Sequence, residues 1–556
     1  MELAMVKLIK NTLTILTRQE KNILSAASVI MTAVAVSRLL GLFRDRLLAA
    51  RFSPEDLGVY YAAFRLPNMI FELLVMGALA TAFIPVFTSF LDNKSKEEAN
   101  RLASSVINIG LVLFLFLALP LMIFTPFISR KLAPGFDENQ IRLMVAFTRI
   151  MIIPQVFPLI IGNFLTGILQ SYRNFLIPAL APVVYNVGII LGILFLTPAA
   201  GLYAPVVGVV FGALLFVLIQ IPSILSYGYR HKLSFDYKNK GVRTIGKLML
   251  PRTLGLAVSQ IDTTVDLVLS TLLGASAVTV FNFAQHLQQL PIGLFGVSIS
   301  QASLPALSSA AARDDKPEFK KILLSSFHQI LFLVLPVSFI LIVLRIPVVR
   351  LVFGASTLFD WESTVLTGLT LAYFSVSLFA QSLVHLLARG FYALQDTKTP
   401  VVIGFAAVLT NAALSVLFVM VYHLPIWSLG FSASVASILN MFLLLVFLIR
   451  KVGSFGYHEL LYPMFKIFLA GLVAAFALYI PIKVLDQLVF DTTRTINLFF
   501  LTGISTFIGL AVYLFIAWFL DVPQIAIIFK IFQRLKPREK GVLLDTTQEV
   551  VNLQEN

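Results

Sequence analysis

The chain has 556 residues, no cysteine, 42 Lys+Arg against 28 Asp+Glu, a formal net charge of +14, and 58% hydrophobic against 13% charged residues. Soluble domains carry about 45–50% apolar and about 25% charged residues, so this composition excludes a soluble, a disordered and a nucleic-acid-binding chain. The missing cysteine excludes disulfides, thiolate metal sites and cysteine nucleophiles.

Apolar blocks of about 20 residues or more cross a bilayer core of roughly 30 Å as helices. The pattern therefore predicts an all-α, polytopic membrane protein of about 14 spans, at 24–50, 57–91, 101–127, 139–172, 177–197, 203–227, 248–272, 276–310, 318–346, 362–393, 399–422, 426–450, 461–485 and 495–519. Residues 1–23 mix polar and apolar side chains with Lys7, Lys10, Arg18 and Lys21, and lack a short apolar stretch with a cleavage site. They read as a cytoplasmic lead. With the N-terminus inside, roughly 26 Lys and Arg fall in inside loops and roughly 7 in outside loops. The clearest inside loop is 228–247, and 311–321 is another. Both termini are then cytoplasmic. The tail 520–556 begins as an amphipathic segment and ends polar and acidic, a pattern expected to be disordered.

The spans divide into two halves that repeat. Val36-Ser37-Arg38 answers Val258-Ser259-Gln260 at an offset of 258 − 36 = 222 residues. The segment Ala82-Phe83-Ile84-Pro85 answers Ala302-Ser303-Leu304-Pro305 at 305 − 85 = 220. Pro178 answers Pro400. This predicts two pseudo-symmetric six-helix lobes, 24–227 and 248–450, joined by the basic linker 228–247. Residues 451–519 add two C-terminal helices outside the repeat. Parallel repeats of this kind enclose a cavity and rock for alternating access.

Charges inside spans point to that cavity, because an Arg, Lys or Asp at a helix centre costs about 2.5–3.5 kcal/mol facing lipid. The first span carries Arg38, Arg44, Asp45 and Arg46. Arg38, Gly41 and Asp45 share one stripe, with Arg44 turned aside by about 120°. Arg46 and Arg44 could instead reach the outer interface and pair with Asp45. The second span holds Arg65 and Glu72, seven apart, either networked along their own helix or paired with the first span. In the eighth span His286 aligns with Arg65 under the repeat. Asp262 and Asp266 lie four apart on one face of the seventh span, where two ionised carboxylates repel. Either one is protonated or a monovalent cation (sodium) sits at Asp266; Asn411 is a further oxygen donor in a span that could approach. Pro67, Pro85, Pro154, Pro158, Pro291 and Pro305 kink their spans and free carbonyls. Phosphate-binding loops, zinc-protease and nucleophile-elbow motifs are absent, and the six histidines are not at metal-ligand spacing.

Several strings together resemble the MurJ/MviN lipid II flippase family of the MOP transporter superfamily. They are Ser37 to Asp45 (SRLLGLFRD), Leu66-Pro67-Asn68, Gly77-Ala78 running to Pro85, Ala133-Pro134-Gly135-Phe136, Pro178 to Pro182, Leu290 to Val297, and Gly390 to Pro400 (GFYALQDTKTP). The resemblance covers roughly residues 25–450 and implies a 14-helix, two-lobed fold in the bacterial inner membrane. It further implies translocation of an undecaprenyl-pyrophosphate-linked peptidoglycan precursor to the outer leaflet, with no enzymatic activity and the last two helices forming a groove for the lipid tail. Arg38, Arg44, Asp45, Arg65 and His286 are the substrate-binding candidates; Asp262, Asp266 and Asn411 are the ion-coupling candidates, for Na+ or H+. Expected partners are the lipid-linked substrate, membrane lipids and cell-wall synthesis enzymes, and the chain is expected to be a monomer. Alternatives are a flippase for another polyprenyl-linked glycan, an ion-coupled exporter of amphipathic molecules, or a membrane scaffold. The chain departs from the family where Gly58 replaces an acidic residue before Tyr60-Tyr61, where Phe71 and Glu72 stand in place of an Arg, where Met76 replaces a Glu, and where His286 replaces a cavity Arg.

Overall fold

The computed structural model describes residues 23–76, 82–354, 356–488 and 494–526. The lead through residue 22, the Gly77-Ala78 string and the tail beyond residue 526 lie outside the described residues. Within them every regular element is helical. The order is α1 (Ile23–Arg51), then α2 in pieces (Pro54–Ala63, Arg65–Phe71, a π-turn at Glu72–Met76, and Ile84–Asn93). There follow α3 (Lys96–Leu132), α4 (Glu138–Ser171), α5 (Leu176–Ala200), α6 (Tyr203–Ser226), α7 (Lys240–Leu272), α8 (Ala275–Ala312) and α9 (Lys316–Val343). A short helix Arg345–Phe353 precedes α10, the bent pair Trp361–Val376 and Leu378–Ala393. The chain ends in α11 (Lys398–Val421), α12 (Trp427–Val452), α13 (Tyr457–Leu488) and α14 (Thr495–Phe519).

Ten of these helices are long and apolar enough to cross a bilayer, eleven when the two legs of α10, bent by 43°, count as one span, among the described residues. Of the about 14 spans read from the sequence, α2 and α7 do not meet this measure, because α2 is broken into short pieces and α7 carries Asp262 and Asp266 in its apolar stretch. Polar faces of this kind are tolerable where they meet protein or cavity water.

Proline marks two of the breaks, while Pro305 lies inside the unbroken helix Ser298–Ala312. The helix of α4 opens into a turn at residues 153–155 around Pro154, and α8 passes into a π-turn at Ile292–Val297 directly after Pro291. The π-turns of α2 and α8 begin at residues 72 and 292, 292 − 72 = 220 residues apart, the same offset as the sequence repeat. In the Gln395-Asp396-Thr397 turn, Asp396 accepts the Thr399 N–H at 3.0 Å and pairs with Lys451 at 2.7 Å, which ties the start of α11 to the end of α12. That lysine hydrogen bond, first, and the Thr399 N–H hold the Asp396 carboxyl well below the usual carboxylate range.

Three apolar clusters organise the packing. One lies in the first half, with Phe83, Phe87, Phe114 and Phe164. A second lies in the second half and takes in α13 and α14 through Ile467 and Tyr513. The third joins the halves at the end where α1 finishes: Leu48, Phe52 and Tyr60 pack with Phe283, Phe353 and Phe359. Phe283 and Phe353 stack at 4.0 Å. Two glycines make this junction close. A Cβ on Gly58 would sit 1.9 Å from the Ala275 carbonyl oxygen, and one on Gly135 would sit 1.9 Å from that of Thr271. Backbone meets backbone there, so Gly58, the departure from the family's acidic residue, is required by the contact. The two halves are thereby sealed at this end, and the polar helix faces enclose cavities below the seal.

Candidate functional site

The centre of the molecule is Asp45, 2% exposed. Arg44 folds back onto it, with Nε at 3.0 Å and Nη2 at 2.8 Å from Oδ1. The remaining carboxylate oxygen, Oδ2, takes the His286 Nδ1–H at 2.8 Å. An ionised carboxylate only accepts, so the proton of this bond resides on Nδ1. Tyr61 leans in from α2, its hydroxyl 3.4 Å from Asp45 Oδ1 and its ring edge-on to His286. The third arm of Arg44, Nη1, donates to Asn186 Oδ1 of α5 at 3.2 Å, and Asn186 Nδ2 donates to the Ser37 hydroxyl of α1 at 3.3 Å. One cluster therefore joins α1, α2 and α5 of the first half to α8 of the second.

Three of the sequence candidates thus meet in one place, Arg44, Asp45 and His286. In the regular helix α1 the Arg44 Cα is turned aside from the Asp45 stripe as expected, and its long side chain wraps back to that stripe. Arg46 donates to the Leu351 and Val352 carbonyls and so pins the short helix Arg345–Phe353. Arg38 lies apart from the cluster, exposed on the wall of a cavity of about 480 Å³ that it shares with Ser37, Gly41, Asn186 and His286. A second cavity of about 340 Å³ lies on the far side of Arg44 and His286 and is lined by Arg65, Asn68, Glu72, Gln260 and Asp266.

Arg65 is placed differently from both sequence readings. Its Nη1 donates to Gln260 Oε1 at 2.9 Å, and its Nε reaches Thr264 Oγ1 at 3.0 Å, both on α7. Gln260 in turn donates through Nε2 to Glu72. The link between Arg65 and Glu72 therefore runs through the second half of the protein and bridges α2 to α7. His286 and Arg65, aligned under the repeat, line the same 340 Å³ cavity without bonding to each other.

The ion-coupling candidates form a separate group. Asn411 of α11 donates through Nδ2 to Asp262 Oδ1 at 2.8 Å. Asp266, 8% exposed, has a buried Oδ1 with no hydrogen-bond partner, and so has Asn411 Oδ1. Both face a pocket of about 220 Å³ with Gln285, Gln288, Gln381 and Asn440. Carboxylate and amide oxygens are the donor set of a hard monovalent cation or of a proton. Among the described residues no three His, Asp or Glu side chains cluster as a metal site.

The sequence reading gave Asn186, Tyr61 and Gln260 no role in the site. Uncharged polar residues inside a helix carry no insertion cost large enough to flag them, and their partners lie 142, 16 and 195 residues away.

Two helical halves, sealed at one end around polar cavities lined by embedded charges, define a polytopic membrane transporter of the alternating-access kind. The chain belongs to the MurJ family: the family model described as lipid II flippase MurJ matches residues 53–527. It is 27% identical over 444 residues to the lipid II flippase MurJ of Burkholderia cenocepacia, covering 78% of this chain and 85% of that protein. Among solved structures it is similar to lipid II flippase MurJ in an inward closed conformation, with a TM-score of 0.73, 26% identity, and coverage of 88% of this chain and 98% of the other. An inward-facing multidrug transporter of the MATE family, in the MOP superfamily, shares the fold at a TM-score of 0.63 and 15% identity, over 75% of this chain and 94% of that one.

Proposed function

We propose that this protein flips lipid II, the undecaprenyl-pyrophosphate-linked peptidoglycan precursor, from the cytoplasmic to the periplasmic leaflet of the bacterial inner membrane. The observation that carries the reading is the Arg44–Asp45–His286 cluster at the junction of the two halves, in a chain of this family. Arg44 commits two arms to Asp45 and one to Asn186. It is thus a fixed, oriented cation whose outer edge faces both cavities. Arg38 supplies the first contact for a pyrophosphate entering the larger cavity, and His286 adds a donor, with a full charge when protonated. The lipid tail stays in the bilayer while the head group occupies the cavities.

The Lys/Arg asymmetry supports cytoplasmic termini, which makes the sealed end the periplasmic one and the conformation inward-facing. Opening the other way breaks the Gly58 and Gly135 contacts. A ligand bound equally in both states shifts nothing, so a second event has to differ between them. We assign it to Na+ or H+ at Asp266, with Asp262 and Asn411 beside it. Arg65, held by Gln260 and Thr264, acts as a tie between the halves whose donors become available to substrate when α2 and α7 separate.

The test is depletion of the protein in its own cells, followed by measurement of lipid-linked precursors on each side of the inner membrane. Lipid II trapped on the inner leaflet, released by a plasmid copy, is the expected result. Accumulation of a different polyprenyl-linked glycan would replace the substrate, and no accumulation of any would overturn the flippase reading in favour of the exporter or scaffold.

A further inference from the structure

The linker between the halves is built as an inverted strap. From Tyr229 to Asp236 the chain has no regular secondary structure and lies along α3 beside residues 101–108, folded locally by the Ser234 N–H to Lys232 carbonyl and Tyr237 N–H to Phe235 carbonyl bonds. Lys232 N–H donates to the Ser104 hydroxyl at 3.1 Å, and Asn108 Nδ2 donates to the carbonyls of Lys232 and Ser234 at 3.0 Å each. The Ser234 and Ser105 hydroxyls meet at 2.8 Å, and Asp236 pairs with Arg101 at 3.5 Å. His231 is held between the Tyr229 hydroxyl at 3.0 Å and Asn108 Oδ1 at 2.9 Å. Ser104, Ser105 and Asn108 are all buried beneath it. Burial pushes the Tyr229 hydroxyl up to about 12 and the His231 imidazole below its usual value, so both are held uncharged.

The outer face is the reverse. Leu233, Phe235 and Tyr237 alternate with the inward Ser234 and Asp236 and are 87%, 52% and 64% exposed. A segment lying on a protein in water turns its large apolar side chains down and its polar ones up. Here the apolar side chains point away from the protein, among Arg230, Lys232, Lys238, Lys240, Arg243 and Lys247. The one acid of the strap, Asp236, is already paired with Arg101. The strap's depth fits the same reading. At 1.5 Å per residue the 37 residues of α3 measure about 55 Å, well beyond a bilayer core of roughly 30 Å. The strap lies beside residues 101–108, where the polar first turns give way to the apolar run that exposes Val112, Phe116 and Ile123.

We infer that residues 229–247 form a membrane-surface dock, in which Leu233, Phe235 and Tyr237 insert into the headgroup boundary and the flanking Lys and Arg bind anionic phospholipid. Amphipathic basic segments bind interfaces through this combination of apolar area and charge. The consequence for the transporter is a fixed point. The strap continues into α7, whose Gly241 lies against Leu102 and Phe90 and whose Thr253 hydroxyl donates to the Leu73 carbonyl, all in the first half. Only beyond that does α7 reach Asn411 of the second half. Lipid held at the strap therefore keeps the root of α7 on the first half while the second half moves.

The cysteine-free chain makes the test clean. Leu233→Cys, Phe235→Cys and, as an aqueous reference, Arg230→Cys are introduced one at a time into the full chain, spin-labelled and reconstituted in phosphatidylethanolamine–phosphatidylglycerol vesicles. Relaxation by oxygen, which concentrates in lipid, is compared with relaxation by a water-soluble nickel chelate. The expected result is oxygen-dominated relaxation at 233 and 235 and nickel-dominated relaxation at 230. Nickel-dominated relaxation at all three overturns the dock and leaves the face free for a protein partner. Changing Lys232, Lys238 and Arg243 together to Gln should lower the phosphatidylglycerol retained through purification, since each surface charge is worth about fivefold in anionic-lipid affinity. Unchanged retention overturns the anionic-lipid part of the proposal.

Discussion

Two acidic sites lie at the heart of this protein, one on α1 and one on α7, and they are built on opposite terms. Asp45 is saturated: Arg44 and His286 donate to its two oxygens, and Tyr61 approaches a third side. Asp266 is buried as well, yet its Oδ1 has no partner, and the neighbouring Asn411 Oδ1 has none either. The 220 Å³ pocket that Asp266 shares with Asn411 has no Lys, Arg or His in its lining, while the other side of Asp266 faces the 340 Å³ cavity that Arg65 and His286 also line. An isolated ionised carboxylate is costly to bury, which is the ground for the proton or cation proposed at Asp266. A saturated carboxylate orients a cation for something else to bind; an unsaturated one is itself the binding group. The α1 site is thus suited to presenting Arg44 to an anion, and the α7 site to taking up a positive charge.

The largest effect should come from breaking the first site. Arg44→Ala removes the oriented cation but leaves Asp45 bonded to His286, so the carboxylate is not stranded. A charge-assisted hydrogen bond is worth about 1.5–3 kcal/mol, or roughly 12- to 160-fold. Transport should fall by at least that, measured as loss of complementation in depleted cells at unchanged membrane levels. Arg44→Lys should recover part of it, since the charge remains and the three-armed fork is lost. Full activity of Arg44→Ala would reduce the cluster to a structural tie.

The α1 site was largely legible in the sequence and the α7 site partly so, for the same reason. Charged residues inside apolar runs announce themselves by their cost, so Arg44, Asp45, His286, Asp262 and Asp266 stood out. The sequence also carried the 220-residue repeat that reappears in the π-turns at Glu72 and Ile292, and the proline breaks at 154 and 291. What stayed hidden was choice of partner. Arg65 and Glu72 sit seven apart on one helix, which invites pairing within that helix, but Gln260 of α7 intervenes from 195 residues away. Gly58 looked like the loss of a family charge, and only the 1.9 Å approach of the Ala275 carbonyl shows that a side chain has no room there.

A smaller effect, of different kind, is expected at the second site. Asp266→Asn keeps the shape of the side chain and mimics its neutral form. Transport in vesicles carrying a sodium or pH gradient should lose its dependence on that gradient and fall toward the ungraded rate, a loss on the order of tenfold if the site supplies about 1.4 kcal/mol of bias between the two states. Arg44 variants should keep the gradient dependence of whatever activity remains. If Asp266→Asn responds to both gradients as the unaltered protein does, Asp266 is a protonated structural group and the contrast between the two sites disappears.

The smallest effect should come from Asn186, and it separates charge from orientation within the first site. Asn186 makes no contact with Asp45; it steadies Arg44 through Nη1 at 3.2 Å and ties itself to α1 through the Ser37 hydroxyl. Asn186→Ala leaves the Arg44–Asp45 pair intact and frees one arm of the guanidinium. A single hydrogen bond of this kind contributes about 0.5–1.5 kcal/mol, so transport should fall roughly 2- to 12-fold, with protein levels unchanged. The decisive measurement is the double variant. If Asn186 acts only by orienting Arg44, then Arg44→Ala with Asn186→Ala should be no worse than Arg44→Ala alone, because residues in one network are not additive. A double variant that loses the full product of both single losses would show that Asn186 meets the substrate itself, from the wall of the 480 Å³ cavity it shares with Arg38.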